Sequence, residues 1–227
     1  MVDEVVTVVT DGHRDRLGGQ RGRETGDKDA QGNLLVKDTG SKGNHGTIVG
    51  RAEWADTPFG SAMKFDGKTY VLVPYTPALN GDPDELTIEL LLKPDSGKTA
   101  PILCKGMHYG GYAMRIQYGK YWPIIGTWKD GPSTPVLPNL DHIVVTFRAP
   151  AAKIYVNGEQ VGENEINGRM NPEAQKRFLV IGGFDVYSKE KGGYGPEPGF
   201  EGIIRLVRIY DKALSGEEVR NAYLLIR

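Results

Sequence analysis

The segment Ile154-Tyr155-Val156-Asn157-Gly158-Glu159-Gln160-Val161 predicts a β-hairpin. Apolar residues alternate with other residues on both sides of the central pair, which is the period of strands with one buried face. An Asn-Gly pair accepts the positive φ angles that a two-residue hairpin turn requires. Two antiparallel strands and the turn between them therefore follow from this segment alone.

Similar strands and turns recur on both sides of this hairpin. Further Asx-Gly pairs stand at Asp66-Gly67, Asn80-Gly81 and Asp130-Gly131. Regular strand spacing without intervening helices predicts an all-β sandwich, a two-sheet antiparallel jelly roll, rather than a parallel α/β sheet. The strands are expected near residues 34–37, 46–49, 61–65, 69–73, 86–92, 101–105, 111–118, 122–128, 141–148, 152–156, 178–182 and 201–210.

One short C-terminal helix interrupts the all-β pattern. Ser215 and Glu218 have the spacing of a capping box, in which the serine caps the helix and the glutamate reaches back to it. Apolar residues then recur at helical intervals as far as Ile226. We expect the helix near residues 216–225.

Composition limits the classes of partner. The 227 residues suffice for one core, and 28 basic against 29 acidic residues give a net charge of −1. This balance gives no reason to expect a nucleic acid or an anionic membrane as partner. The single cysteine, Cys104, excludes an internal disulfide, and its apolar surroundings predict an inert buried thiol.

The N-terminal 33 residues differ from the rest of the chain. Residues 4–10 are rich in β-branched side chains and predict a strand, whose edge could extend a partner's sheet. Residues 11–33 are polar, with acidic and basic side chains in equal number, and bury little apolar surface. We therefore divide the chain into an N-terminal strand and polar arm, 1–33, and a sandwich domain, 34–227. The arm is either a surface loop or a segment that orders against a partner through its arginines, Arg14, Arg16, Arg21 and Arg23.

Two segments near the ends of the sandwich carry a family resemblance. They are Asp38-Thr39-Gly40-Ser41-Lys42-Gly43-Asn44-His45-Gly46-Thr47 and the stretch from Phe200-Glu201-Gly202 to Ser215. With the strands between them, they resemble the laminin G-like branch of the concanavalin A-like lectin and glucanase superfamily, over roughly residues 34–227. The resemblance implies a jelly roll whose members mostly bind sugars or proteins, and only some branches catalyse reactions.

The resemblance also raises the question of calcium. In the related family the loop corresponding to residues 38–46 often helps to hold a calcium ion, together with an acidic residue in the last strand. Here Arg205 stands at that acidic position, and a guanidinium repels a divalent cation. The sequence therefore favours a salt bridge between Arg205 and Asp38 over a calcium site, and we expect no cofactor.

Catalytic groups are not evident either. A retaining glycosidase needs two carboxylates about 5 Å apart, and Glu89 lacks an acid two residues away on its strand. Glu163 and Glu165 have that spacing, but the surrounding asparagines and glycine suggest a solvated loop. The four histidines, His13, His45, His108 and His142, lack metal-ligand spacing. We therefore predict no catalytic residue and no metal site.

Aromatic residues are the remaining candidates for a binding site. Residues 109–128 contain six of them, and Tyr112 and Tyr118 alternate with Met114 and Ile116 as core residues do. A second group lies in the predicted loop from Asp185 to Gly199. Plain core packing is the alternative for both groups. The candidate ligand-binding residues are Tyr109, Tyr121, Trp122, Trp128, Tyr187 and Tyr194.

Two functional classes follow from these observations. The first is a non-catalytic structural or interaction subunit on the surface of a virion or similar particle, expected to be a homo-oligomer. This class fits a chain without a recognisable export signal, made in the cytoplasm and reaching an extracellular surface with the particle. The second is a carbohydrate-binding lectin-like module. A glycan hydrolase or lyase is a weaker alternative because the acid pair is missing.

Overall fold

The structure is a computed structural model. It describes residues 28–29, 32–40, 42–80, 82–107, 110–126, 131–166, 168–171, 176–190 and 192–226, and the backbone of residues 4–9. The strands, in chain order, are β1 (Glu4–Val9), β2 (Leu35–Val36), β3 (Gly46–Val49), β4 (Glu53–Thr57), β5 (Gly60–Asp66), β6 (Tyr70–Val73), β7 (Glu85–Pro94), β8 (Ala100–Lys105), β9 (Tyr112–Gln117), β10 (Lys120–Ile125), β11 (Thr134–Pro135), β12 (Asp141–Arg148), β13 (Ala151–Val156), β14 (Glu159–Glu165), β15 (Leu179–Ile181), β16 (Gly183–Ser188), β17 (Gly193–Pro198) and β18 (Glu201–Tyr210).

Two eight-stranded antiparallel sheets pack face to face. The first sheet has the order β14-β13-β12-β7-β18-β5-β4, and β1 pairs with the second half of β18. The second sheet has the order β11-β10-β9-β8-β15-β6-β3-β2. Strands β16 and β17 form a separate hairpin. The predicted two-sheet jelly roll is thus confirmed.

Most of the predicted strands and the helix also lie where expected. Helix α1 spans Gly216–Leu225, and Ser215 and Glu218 form both hydrogen bonds of the capping box. A short 3-10 helix occupies Pro77–Asn80. Among the residues that the structure describes, no helix is long and apolar enough to cross a membrane.

Two segments differ from their predictions. Residues 185–199 do not form a loop, because β16 and β17 pair over 183–198. Glu163 and Glu165 lie in β14 rather than in a loop, and β14 is an exposed edge strand. Strand β1 pairs with β18 of its own chain along one edge, and the addition of its other edge to a partner's sheet stays a prediction.

The core lies between the inner faces of the two sheets. Phe65 and Phe200 meet edge to face with ring centroids 5.8 Å apart, and Phe147 is fully buried among aliphatic side chains. Strand β9 shows how the second sheet divides its residues between its faces. Its core-facing residues are Tyr112, Met114 and Ile116, and the intervening residues, Ala113, Arg115 and Gln117, lie on the outer face, the one turned away from the first sheet.

Acidic residues are segregated between the two sheets. None occurs in any strand of the second sheet, whose charged residues are Lys105, Arg115 and Lys120. The strands of the first sheet contain many acidic residues, namely Glu4, Glu53, Asp56, Asp66, Glu85, Glu89, Asp141, Glu159, Glu163, Glu165 and Glu201. A chain with almost no net charge therefore has one sheet that is acidic and one that is free of acids.

Candidate functional site

Trp122 and Arg115 lie side by side on the outer face of the second sheet. They are direct partners in the pairing of β10 with β9, and Lys120 and Gln117 are the next pair on the same face. The guanidinium carbon of Arg115 is 6.0 Å from the centroid of the Trp122 ring, which is the range of a cation–π interaction. An aromatic ring, an amide and two cations are thus grouped on two neighbouring strands.

Tyr118 adds a second aromatic ring at the edge of this group. It begins the two-residue turn between β9 and β10, with φ of 52° at Tyr118 and 71° at Gly119, the signs of a type I′ turn. Its side chain is 80% exposed. The ring meets that of Trp122 edge to face, with centroids 6.4 Å apart. A bulky residue in the left-handed region is strained, and such strain is commonly found at binding sites.

The indole Nε1 of Trp122 and the amide Oε1 of Gln117 have no hydrogen-bond partner among the residues that the structure describes, and both are shielded from solvent. One is a donor and the other an acceptor. A buried polar atom without a partner costs about 1–3 kcal/mol, and nearly all such atoms in proteins are satisfied. Their presence on one face marks a place where a polar ligand could supply the missing bonds.

A small apolar cluster supports the site from the side. Cys104, Met107, Ala113 and Ile124 are buried there, and Trp122 and Phe184 pack against them. Phe184 belongs to β16, so the β16–β17 hairpin borders the site. Burial raises the pKa of the Cys104 thiol, in agreement with its prediction as an inert group.

The hairpin carries its own group of aromatic and cationic side chains. Tyr187 and Tyr194 are paired across β16 and β17, with ring centroids 5.2 Å apart. Arg177 lies over the Tyr194 ring at 5.5 Å, and its guanidinium is also bonded to the buried carboxylate of Asp185. Tyr187 is half exposed. The pair therefore presents an aromatic surface next to the outer face of the second sheet.

A different polar network lies on the outer face of the first sheet. The Glu89 carboxylate, fully buried, is 3.0 Å from His142 Nε2 and accepts hydrogen bonds from Arg208 and from the Tyr210 hydroxyl. Tyr223 of helix α1 stacks on His142, with ring centroids 5.7 Å apart. Burial alone raises the pKa of Glu89, but these partners outweigh it and hold the pKa below its usual value. Glu89 is therefore a structural anion out of reach of a substrate.

Family and structure comparisons agree with this architecture. A laminin G family model, described as the concanavalin A-like lectin/glucanases superfamily, matches residues 65–220. The chain belongs to this superfamily. No curated protein matches it in sequence.

Solved structures of the same fold include sugar-binding and toxin domains. One is domain 4 of AbnA, a GH43 extracellular arabinanase from Geobacillus stearothermophilus, in complex with arabinotriose (TM-score 0.61, 19% identity, 82% of this chain and 91% of that chain covered). Another is the binding domain of botulinum neurotoxin serotype D/C VPI 5993 (TM-score 0.65, 9% identity, 99% of this chain and 52% of that chain covered). A third is the binding domain of botulinum neurotoxin DC in complex with SialylT (TM-score 0.61, 11% identity, 88% of this chain and 50% of that chain covered). The chain spans about half the length of the toxin domains, and at these identities the likeness shows the fold alone.

The residues predicted from sequence fall into three groups. Trp122, Tyr187 and Tyr194 lie at or next to the outer face of the second sheet. Tyr121 does not, because it points into the core and is fully buried, so its ring cannot contact a surface ligand. The others lie outside the described residues: Tyr109, Trp128, Arg14, Arg16, Arg21 and Arg23.

Sequence reasoning missed part of the site. Tyr118 was expected to face inward with Met114 and Ile116, but it lies in the turn and is exposed. The Tyr118-Gly119 pair was the available signal, because a glycine after the last residue of a strand marks a hairpin turn. Arg115 and Gln117 were not identified, since a single polar residue on a strand carries no motif.

The residues of the loop and last strand considered for calcium have other partners in the structure. Both Asp38 oxygens accept backbone hydrogen bonds, from Gly40 and from Asn44. Arg205 Nε donates to the Phe59 carbonyl at 3.1 Å, at the turn between β4 and β5. The predicted pairing of Arg205 with Asp38 stays a prediction. Within the described ranges, no group of three or more His, Cys, Asp or Glu residues is arranged to hold a metal ion.

Proposed function

We propose that this protein is a non-catalytic lectin-like module that binds carbohydrate on the outer face of its second sheet, centred on Trp122. The observation that carries the proposal is the grouping of an aromatic ring with an unsatisfied donor and an unsatisfied acceptor on adjacent strands. Sugars have apolar ring faces and hydroxyl groups that both donate and accept. An aromatic ring and paired polar atoms are the two features that such a ligand needs.

We infer that Tyr118 moves when a ligand binds on this face. Trp122 Nε1 and Gln117 Oε1 are shielded from solvent, so a ligand reaches them only when a neighbouring side chain shifts. Tyr118 contacts the Trp122 ring and is mostly exposed, so its ring has room to turn outward. The hydroxyl groups of a sugar would then satisfy the two atoms and recover the cost of leaving them unpaired.

The hairpin extends the proposed surface. Tyr187 and Tyr194 form an aromatic pair beside the face, and Phe184 joins the hairpin to the cluster under Trp122. Long surface segments at the margin of a sandwich often contribute to recognition. Tyr109 and Trp128 remain candidates for the same surface because they flank β9 and β10 in sequence.

The comparisons support a binding role without identifying the ligand. The arabinanase domain is a complex with arabinotriose and one toxin binding domain is a complex with SialylT, so the fold carries glycans in proteins of different origin. Catalysis has no comparable support here, because Glu89 is buried in an ion network and Glu163 lies on an exposed edge strand beside Lys153.

The test is to replace the ring and its donor separately. Trp122→Ala should weaken binding to a glycan found on a glycan array by about 30-fold or more, as expected when a central aromatic anchor is lost. Trp122→Phe keeps a ring and removes the indole N–H, so it should cause a smaller loss. Trp54→Phe, the same change at an equally unpaired indole on the first sheet, is the control and should leave affinity unchanged. Unaltered binding by Trp122→Ala would contradict the proposal.

A second candidate is the non-catalytic subunit of a virion or similar particle, assembled as a homo-oligomer and displayed on an extracellular surface. The observation that favours it is the exposure of three apolar side chains on two elements in contact with each other, Val161 of edge strand β14 and Leu224 and Leu225 of α1. Exposed apolar side chains that lie together commonly mark protein interfaces. Sedimentation of the protein, alone and as Leu225→Ser, tests it: a monomer at all concentrations contradicts the homo-oligomer.

A further inference from the structure

The strands of the second sheet that carry the proposed site contain cations and no acid. On the outer face of strands β8 to β11 the charged residues are Arg115 and Lys120, and the whole second sheet contains no Asp or Glu in any strand. Lys120 lies opposite Gln117, and Arg115 lies opposite Trp122. Two cations therefore flank the ring on which a sugar would rest.

This arrangement is not a consequence of a basic protein. The net charge is −1, and the acidic residues of the strands belong to the first sheet, apart from Asp185, which is paired with Arg177, and Glu197 in the β16–β17 hairpin. Several exposed arginines elsewhere are neutralised by carboxylates: Arg169 by Asp84, and Arg51 by Glu53. Lys120 has no ion pair with any residue that the structure describes. Segregated charge of this kind raises the local concentration of oppositely charged ligands.

We propose that the glycan recognised by this face is acidic and carries carboxylates, as in a uronic-acid polymer. The proposal rests on the carbohydrate-binding function above and specifies its ligand class. The Arg115 guanidinium offers a planar fork of donors that matches a carboxylate, and the Lys120 ammonium offers a mobile point charge.

The geometry places these groups at useful positions around one ring. Direct partners on neighbouring strands have Cβ atoms about 4.5–5.5 Å apart, and residues two apart on a strand are separated by about 6.8 Å. Arg115 is the direct partner of Trp122, and Lys120 is two residues before it on β10. A sugar stacked on Trp122 would therefore have a cation beside it on two sides, one for its own carboxylate and one for that of a neighbouring unit.

The experiment compares three polymers of matched length on the full protein by isothermal titration calorimetry: neutral galactan, polygalacturonate and a sulfated galactan. At low salt we expect polygalacturonate to bind at least 10-fold more tightly than galactan, with the advantage decreasing as salt increases. Lys120→Gln and Arg115→Gln should each reduce that advantage several-fold, because each should weaken the binding of polygalacturonate more than the binding of galactan. Lys64→Gln and Lys153→Gln, on the first sheet, are the matched controls and should change nothing.

The outcomes separate this inference from the function on which it rests. Binding of galactan as tight as polygalacturonate, lost in Trp122→Ala, would overturn the acidic preference and leave the lectin-like function standing. Tight binding of the sulfated polymer but not of polygalacturonate would overturn the assignment of carboxylates. Binding of none of the three, with no glycan bound on an array, would overturn both proposals. Because Arg115 is partly buried, the folded state of Arg115→Gln is verified by its melting temperature, and Lys120→Gln supplies the same test from an exposed position.

Discussion

The outer faces of the two sheets hold their polar groups in different surroundings. On the first sheet the Glu89 carboxylate is enclosed under helix α1, and both of its oxygens are bonded, to His142, Arg208 and Tyr210. On the second sheet Trp122 Nε1 and Gln117 Oε1 have no partner among the described residues and lie beside an exposed tyrosine. A buried carboxylate with both oxygens bonded strengthens the fold, whereas shielded atoms without partners cost stability unless a ligand completes them. We therefore expect changes at Glu89 to act on stability and changes at the second face to act on the proposed recognition.

The two hairpin turns sharpen this contrast. Asn157-Gly158, between β13 and β14, has φ angles of 53° and 84°, and the Asn157 side chain bonds to the His142 backbone N–H and to Asp141. Tyr118-Gly119, between β9 and β10, has the same backbone signs but carries a ring that points to solvent. The first turn uses the residue best suited to the geometry. The second uses a residue that the geometry disfavours, which is consistent with selection for binding.

The largest effect on stability is expected at the first sheet. Glu89→Gln removes the anion that pairs with His142 and Arg208, and breaking a buried pair in this way typically costs about 3–5 kcal/mol. The free energy of unfolding, measured in urea at pH 7, should fall by about that amount. Binding at the second sheet should be unaffected in the fraction that remains folded.

The pH profile and a matched variant test the same prediction. Because the pKa of Glu89 is lowered in the folded protein, its stabilisation is fully present above the pKa of an unfolded glutamate and is lost as the pH falls through the folded value. The stability difference between the native protein and Glu89→Gln should therefore shrink below about pH 4.5. Glu163→Gln, on the same sheet but exposed, should change stability by less than about 0.5 kcal/mol. Equal effects of the two variants would disprove the role assigned to the network.

A smaller effect of opposite sign is expected at the second sheet. Tyr118→Asn places a residue favoured in type I′ turns at a strained position, so it should stabilise the protein by about 1 kcal/mol. The same change should weaken glycan binding several-fold because the exposed ring is lost. Thermal unfolding and calorimetric titration measure the two effects. Tyr118→Phe, which retains the ring, should preserve binding; unchanged affinity in Tyr118→Asn would remove this residue from the site.

Local signals allowed much of the fold to be predicted. The Asn157-Gly158 hairpin and the capping box at Ser215 depend on residues within a few positions of each other, and both are present as expected. The β16–β17 hairpin was not predicted, because its glycines and prolines give no apolar alternation, although its backbone pairs regularly. Alternation of apolar and polar side chains indicates which residues of a strand are buried. A hairpin that lies outside the core buries few side chains, so it need not show this alternation.

The proposed binding face, the outer face of the second sheet, was harder to predict because it depends on which strands become neighbours. Alternation continues in sequence from Tyr112 to Tyr118, and nothing in that pattern shows that the strand ends at Gln117. Tyr121 and Trp122 are adjacent aromatics, yet one enters the core and the other lies outside it, as the period of two requires once the register is known. The segregation of acids likewise becomes visible only when each strand has been assigned to its sheet.

The smallest expected effect concerns calcium, and it involves Asp38 in the loop between β2 and β3 of the second sheet and Arg205 in β18 of the first. A metal bound to the native state at 100 times its dissociation constant would stabilise by about 2.7 kcal/mol, enough to move the melting temperature by several degrees. Here both oxygens of Asp38 accept backbone N–H groups, and the position of an acidic ligand in the last strand is occupied by Arg205, which bonds to the Phe59 carbonyl. Addition of a chelator, or of millimolar calcium after chelation, should therefore shift the melting temperature by less than about one degree. Arg205→Asp, which restores an acid at that position, is the informative partner variant: a calcium-dependent rise in its melting temperature, absent from the native protein, would show that the arginine alone excludes the ion. A shift of several degrees in the melting temperature of the native protein would instead show that calcium binds although Arg205 occupies the position of the acidic ligand.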